Sequence, residues 1–253
     1  MDPTVISIAV FACTFGGALA GIKLRTHLPH HHRSDESKDT IKVGIGLIAT
    51  MTALILGLVT ASAKSAFDAV DKSVKHAAAD LISLDRVLAR YGPETSEIRE
   101  AWKRFVEQRL EMIRPRGQSR LAQVDPWDAT GRMELLAARI RGLAPQTDDQ
   151  RWLQSRARDL AEALLATRWQ VFASLGTAVP VPFLAMLLFW LTITFASFGL
   201  FAPPNATVVS VLFVCALSVA GAVFLILELD GPFEGLIMVS PDPLRYALGH
   251  LKQ

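Results

Sequence analysis

The densest group of side chains able to do chemistry is a histidine loop, His27, His30, His31 and His32. Neutral imidazoles bind transition metals. No carboxylate or cysteine stands at a ligand spacing from them, so a solvated loop accounts for the group more simply. Cys13 and Cys215 both fall inside apolar stretches, where they read as small apolar fillers and not as a disulfide framework or a zinc site. No metalloprotease helix motif, phosphate-binding glycine loop or nucleophile elbow occurs. No metal, no cofactor and no enzymatic activity are therefore expected. The many carboxylates between residues 64 and 175 alternate with lysines and arginines at helical spacing, the pattern of a solvated face.

A different kind of surface is built by Gly46, Thr50, Ala53, Gly57, Thr60 and Lys64, which recur at steps of three or four while Ile48, Ile55, Leu58 and Val59 supply bulk elsewhere. On a helix these six share one side. Such a narrow, mildly polar face can line an aqueous pore, where small polar groups and backbone dipoles suffice. It can equally be a tight packing seam, because small residues are what helix contacts in lipid favour. Lys42 precedes the row, and Lys72 and Lys75 follow it. Lysines there would enrich anions near a pore mouth, and they are also ordinary membrane-boundary anchors. Near the C-terminus, Glu228 and Asp230 stand ahead of Gly231, Pro232 and Phe233. They read as a structural boundary motif that caps a helix start or pairs with Arg168 or Lys64, in preference to a cation site.

The elements that position these residues follow from the distribution of charge. Between Arg168 and Glu228, 59 residues (169–227) pass without one Asp, Glu, Lys or Arg, interrupted only by Pro203, Pro204 and Asn205. A bilayer crossing takes about 20 apolar residues, so this is a helical hairpin through a membrane. Two more uncharged stretches precede it. The four spans are placed at about residues 3–22, 43–63, 182–202 and 206–227. The fold expected is an all-α integral membrane protein. It comprises a transmembrane hairpin (1–63), a helical water-facing domain (64–175), a second hairpin (176–227) and a tail (228–253). The mean hydropathy of +0.33 averages over very different segments. Residues 64–175 hold 19 of the 26 basic and 16 of the 24 acidic residues. The net charge of +2 carries no nucleic-acid footprint, and no nucleic acid is expected as a partner.

The first span opens on Met1-Asp2 without a basic residue and is long for a signal core, so it reads as a retained helix. Its Gly17 and Gly21, four apart, would let a neighbouring helix approach closely. The second helix meets no breaker before Gly92-Pro93. It carries the helical pairs Lys64/Asp68, Asp68/Lys72 and Asp71/Lys75 and the apolar stripe Val74, Leu81, Leu84, Leu88 and Tyr91. From Lys42 to Tyr91 it would measure about 75 Å. Further helices are expected from about Glu94 to Ile113, with Ile98, Trp102, Phe105 and Met112 near one face, and from Ala129 to Leu143, and one opens on the capping-box pair Thr147 and Gln150. Trp169 and Phe172 suit an interfacial aromatic belt, and Ser240 to Asp242 caps a last helix ending near Leu251. In the fourth span Ala216, Ala220 and Gly221 offer a small contact surface. No ionisable group lies in the central part of any span, which argues against an ion-coupled transporter and not against a channel.

Three segments carry a resemblance: Phe198 to Asn205 (FGLFAPPN), Glu228 to Gly235 (ELDGPFEG), and Pro243-Leu244-Arg245 followed by Ala247-Leu248. They are similar to the end of the bestrophin-like family of bacterial four-helix membrane proteins, itself distantly related to the bestrophin anion channels. The resemblance extends over most of Val43 to Leu251. It implies four membrane helices, a helical cytosolic portion, assembly into a homo-oligomer such as a pentamer, and passage of small inorganic anions. Bestrophin pores carry an aromatic constriction on the second membrane helix, whereas residues 43–63 here contain no Phe, Tyr or Trp. The resemblance therefore brings an architecture and no gate residue.

Charge gives a divided orientation: the basic loop from Lys23 to Lys42 favours its own side as cytosolic, and Arg168 favours the other. The resemblance places the middle domain and both termini in the cytosol of a bacterial cell, with the spans in its inner membrane. Two functions are open at this level. One is a homo-oligomeric channel for small anions with the second span lining the pore; the other is a non-conducting scaffold or sensor coupling the bilayer to the helical domain.

Overall fold

Each uncharged stretch folds as an α-helix long and apolar enough to cross a membrane: α1 (Pro3–Arg25), the first part of α2 (Asp35–Tyr91), α6 (Val181–Phe201) and α7 (Ala206–Asp230). The remaining helices are α3 (Ser96–Met112), α4 (Pro126–Arg141), α5 (Asp148–Ser174) and α8 (Asp242–Leu251), with a short 3-10 turn at Pro93–Thr95 between α2 and α3. The computed structural model describes residues 2–25, 35–112, 126–174, 181–203, 205–233 and 235–251, and no strand occurs among them. The protein is an all-α integral membrane protein. Its chain forms two compact units, one of residues 1–65 and 176–230, the other of residues 66–175 and 231–253.

The boundaries differ from expectation by a few residues at several helix ends, and two of these differences bear on the site. α2 is already helical at Asp35, ahead of the anticipated span, and no proline or glycine between Pro29 and Val43 interrupts it. α7 continues through Asp230, since nothing before Gly231-Pro232 can stop it. Glu228 and Asp230 therefore occupy the last helical turn of α7 itself.

In the first unit α1 lies against α6 and α7. Gly17 approaches Thr192, and Gly21 approaches Ala196 and Leu200. Both numbers rise together, so α1 and α6 run parallel. Arg25, at the end of α1, donates to the carbonyl of Ala202 at the end of α6. Ala18 and Leu212 share a cluster with Ala216, and Val10 shares one with Ala220 and Val223, an order that makes α7 antiparallel to α1. The starts of α1 and α6 and the end of α7 thus lie on one side of this unit. The crossing is set by missing side chains: a Cβ on Gly21 would collide with the Ala196 carbonyl, and one on Gly199 with the Ala18 carbonyl. Such close backbone contact is how helices associate in lipid, where no hydrophobic driving force acts between them. Phe11, Phe15 and Phe213 fill the neighbouring space, with Phe213 edge-on to both at 5.4 Å. Of the small residues anticipated on α7, Ala216 and Ala220 are buried, while Gly221 faces open space.

The second unit has the core its apolar stripes require. Leu81, Leu84 and Leu88 of α2 meet Ile98, Trp102 and Val106 of α3, Met133, Leu136, Ala137 and Ile140 of α4, and Ala157, Leu160, Ala161 and Leu164 of α5, with Leu244 and Leu248 of α8 packed against them. The helix ends are satisfied from within. Gly92, at φ 141°, stops α2. The Gln150 amide donates to the Tyr91 carbonyl, and the Gln154 amide reaches the carbonyls of Ile140 and Leu143 at the end of α4. The start of α5 departs from a reciprocal capping box. Gln150 N–H donates to Thr147 Oγ1 at 3.2 Å, but the Gln150 side chain accepts from Gln146 N–H, one residue earlier than the box requires. Asp85 of α2 takes a two-pronged contact from Arg99 of α3 at 2.6 and 2.9 Å. This hydrogen bonding, with the charge of Asp85, holds the Arg99 guanidinium above its ordinary pKa against the opposing effect of burial.

Thr95 is fully buried, and its hydroxyl lies 2.6 Å from the Leu88 carbonyl and 2.9 Å from that of Gly92. Thr95→Val keeps the volume and leaves those carbonyls without the donor, so it is expected to cost about 1–3 kcal/mol. Thermal unfolding of the purified protein, followed by circular dichroism, checks this.

Candidate functional site

The row anticipated on the second helix lies on one exposed side of α2. Gly46, Thr50, Ala53, Gly57, Thr60 and Lys64 are all exposed in the chain, and a Cβ built on Gly46 or Gly57 would meet nothing within 4 Å. The row is therefore not a packing seam inside the protomer. The buried positions of this segment are Ile45, Thr52 and Ala63, roughly 100–120° round the helix from the row at about 100° per residue. Sequence inspection did not single out these three, because in an apolar span inward and outward positions have the same composition. A third face, on the other flank of the row, carries the exposed Val43, Leu47, Leu54 and Leu58.

α2 is also the least enclosed of the four spans. Only 11% of its most apolar window is buried, against 22%, 28% and 28% for α1, α6 and α7. Ile55 and Leu56 are its partly buried contributions to the first unit's core. Three hydroxyls in the segment turn back onto the helix. Thr50 donates to the Gly46 carbonyl at 2.8 Å, Thr52 to Ile48 at 2.7 Å and Thr60 to Leu56 at 2.7 Å. This is the usual way a threonine settles its polar group in a helix.

The flanking lysines Lys42, Lys72 and Lys75 are exposed, and Lys75 pairs with Asp71 at 2.7 Å. Of the boundary motif, Glu228 is buried at 5% exposure, Asp230 and Phe233 are half-buried and Pro232 is buried. The Pro232 carbonyl accepts from Val239 N–H at 2.8 Å, and Gly235 between them takes φ 93°. The conspicuous Gly-Pro segment thus closes a tight loop after α7. Arg168 is half-buried and donates to the Met133 sulfur at 3.7 Å; burial lowers its pKa.

No group of His, Cys, Asp and Glu suited to a metal occurs among the described residues. The histidine loop lies outside them. Cys13 and Cys215 are unpaired and exposed on their helices, so they are not core fillers. Arg25 is a contact that sequence inspection missed, and its signal was a lone arginine closing an apolar run. The Thr194 hydroxyl, buried in α6 without a hydrogen-bond partner, left no trace in the pattern.

No curated protein and no solved structure matches the chain. A family model described as the bestrophin-like domain matches residues 12–244, which takes in all four membrane helices from within α1 onward, the whole of α2 to α7, and the start of α8. On that match, and with the helical architecture it accompanies, the chain belongs to the bestrophin-like family.

Proposed function

We propose that this protein is the subunit of a homo-oligomeric membrane channel for small anions, with the exposed small-residue row of α2 facing the conduction path. Family membership motivates the channel reading. The observation that carries the choice of helix is that six small or polar residues share the exposed side of the least enclosed span. A ring of such helices, one from each of several subunits and five in the bestrophin arrangement, would bring the rows together around an axis. The third face of α2, with Val43, Leu47, Leu54 and Leu58, would meet lipid or a neighbour. We place the side that carries the starts of α1 and α6 in the cytosol of a bacterial cell, with the spans in its inner membrane.

Purified protein in liposomes is then expected to pass halide. Gly57→Phe, which has open space within its own chain, is expected to reduce that flux on the order of tenfold, because one aromatic ring per subunit fills a narrow pore. Absence of flux at every potential and pH, from folded oligomer, overturns the channel reading. A second reading is favoured by one observation, the unbroken run of α2 over 57 residues, which suits a non-conducting scaffold or sensor. Subunit count in mild detergent separates the two, since a monomer cannot enclose a central path.

A further inference from the structure

The hydroxyls on the α2 row bear on what the row can do to an ion. An anion that sheds water needs donors in exchange, and the only side-chain donors along the row between Lys42 and Lys64 are Thr50 and Thr60. Both protons are committed to carbonyls of their own helix, at 2.8 and 2.7 Å. What these residues turn outward is oxygen lone pairs, which do not replace the hydration of an anion. Gly46, Ala53 and Gly57 add no polar side chain. The row therefore holds no built anion site along its length.

Charge enters at the ends. Lys42 and Lys64 are 22 positions apart, about 33 Å at the helical rise, close to the roughly 30 Å thickness of a hydrocarbon core. Lys64 is five full turns beyond Gly46 and returns to the same angular position. Over residues 64–75, three lysines (Lys64, Lys72, Lys75) stand against two aspartates (Asp68, Asp71). Along this stretch of α2 one positive charge per chain is in excess, and removing Lys64 cancels it.

We infer that Lys64 is the residue that sets ionic preference in the proposed channel, acting through its field on hydrated ions, while Thr50 and Thr60 do not bind the ion. This rests on the channel reading. A field of this kind is screened by salt, with a Debye length of about 10 Å at 0.1 M and about 3 Å at 1 M, so the preference depends on ionic strength. Selectivity from dehydration in a donor-lined filter would not.

The test is the reversal potential of purified oligomer in planar bilayers under a potassium chloride gradient. The parent is expected to prefer chloride at low salt and to lose that preference when both sides are raised to about 1 M at a constant ratio. Lys64→Gln is expected to bring the chloride-to-potassium permeability ratio to about one, Lys64→Glu to invert it, and Lys64→Arg to retain it, since a like charge stands at the same place. Thr50→Val and Thr60→Val are expected to conduct with the parent's ratio. Elution of every variant as the parent's oligomer establishes that the protein is intact. The inference is overturned if Lys64→Gln keeps the parent's ratio, if either valine variant shifts it, or if the parent's preference survives at high salt. Intact oligomer that never conducts overturns instead the channel reading beneath it.

Discussion

Gly21→Leu is expected to disrupt the first unit, with a loss of about 3 kcal/mol or more, the upper end for overpacking, because the obstacle is backbone and cannot move as a side chain can. The Cβ that any other residue brings to position 21 runs into the carbonyl of Ala196 and crowds the amide of Leu200. Gly199→Leu meets the Ala18 carbonyl at the same crossing, so its effect should be similar. The two together should cost less than their sum, because each already separates the same pair of helices. Gly16→Leu is the control. It lies on the same helix and is equally apolar, and a Cβ there has nothing within 4 Å. Abundance in the membrane fraction and melting temperature in detergent should fall for the first two variants and stay near the parent for the third. A Gly21→Leu protein that melts with the parent would show that α1 and α6 do not cross at these glycines.

That crossing also marks how far the amino-acid sequence speaks for itself. The spacing of Gly17 and Gly21 suggested a close approach, but it could not name α6 as the partner. In lipid an outward leucine and an inward leucine are equally well solvated. Helices such as α1, α6 and α7 are therefore apolar all round, and periodicity gives them no facing direction. The second unit behaves differently. Its helices expose Arg86, Arg90, Glu97, Glu100 and Arg104 and bury Leu81, Leu84, Leu88, Tyr91, Ile98 and Trp102, so the 3.6-residue period separates the two sides and the apolar stripe was legible in advance. Val106, buried as deeply as Ile98 and on the same face of α3, is the position that inspection passed over. The α2 row was legible because Gly and Thr are conspicuous in a run of Ile and Leu, whereas its exposure inside the chain depends on where α1, α6 and α7 pack and has no signature in α2 itself. The boundary motif misled in one respect. Two acids after an apolar run read as the end of a helix, yet nothing stereochemical stops α7 until Gly231-Pro232, so Glu228 remains helical and buried.

The same contrast between solvents can be tested with one substitution made twice on one helix. Leu84→Ala is expected to destabilise the second unit by about 2–5 kcal/mol, the range for removing a leucine from a closed core. Leu84 is 1% exposed and belongs to a core built by residues of four helices, so little can collapse into the space left behind. Leu54→Ala, thirty residues earlier on α2, removes the same atoms from a side chain that is 74% exposed in the chain. If lipid covers Leu54, those atoms leave one hydrocarbon for another and stability should stay within about 0.5 kcal/mol of the parent. Hydropathy alone ranks the two leucines as equals, so the difference arises only from what surrounds them. Thermal unfolding in detergent, read by near-ultraviolet circular dichroism, measures both. A Leu84→Ala protein as stable as the parent would mean that the four-helix core is not closed around that residue. A Leu54→Ala loss as large as that of Leu84→Ala would mean that protein covers Leu54 in place of lipid. The third face of α2, and not only its small-residue row, would then be buried between subunits.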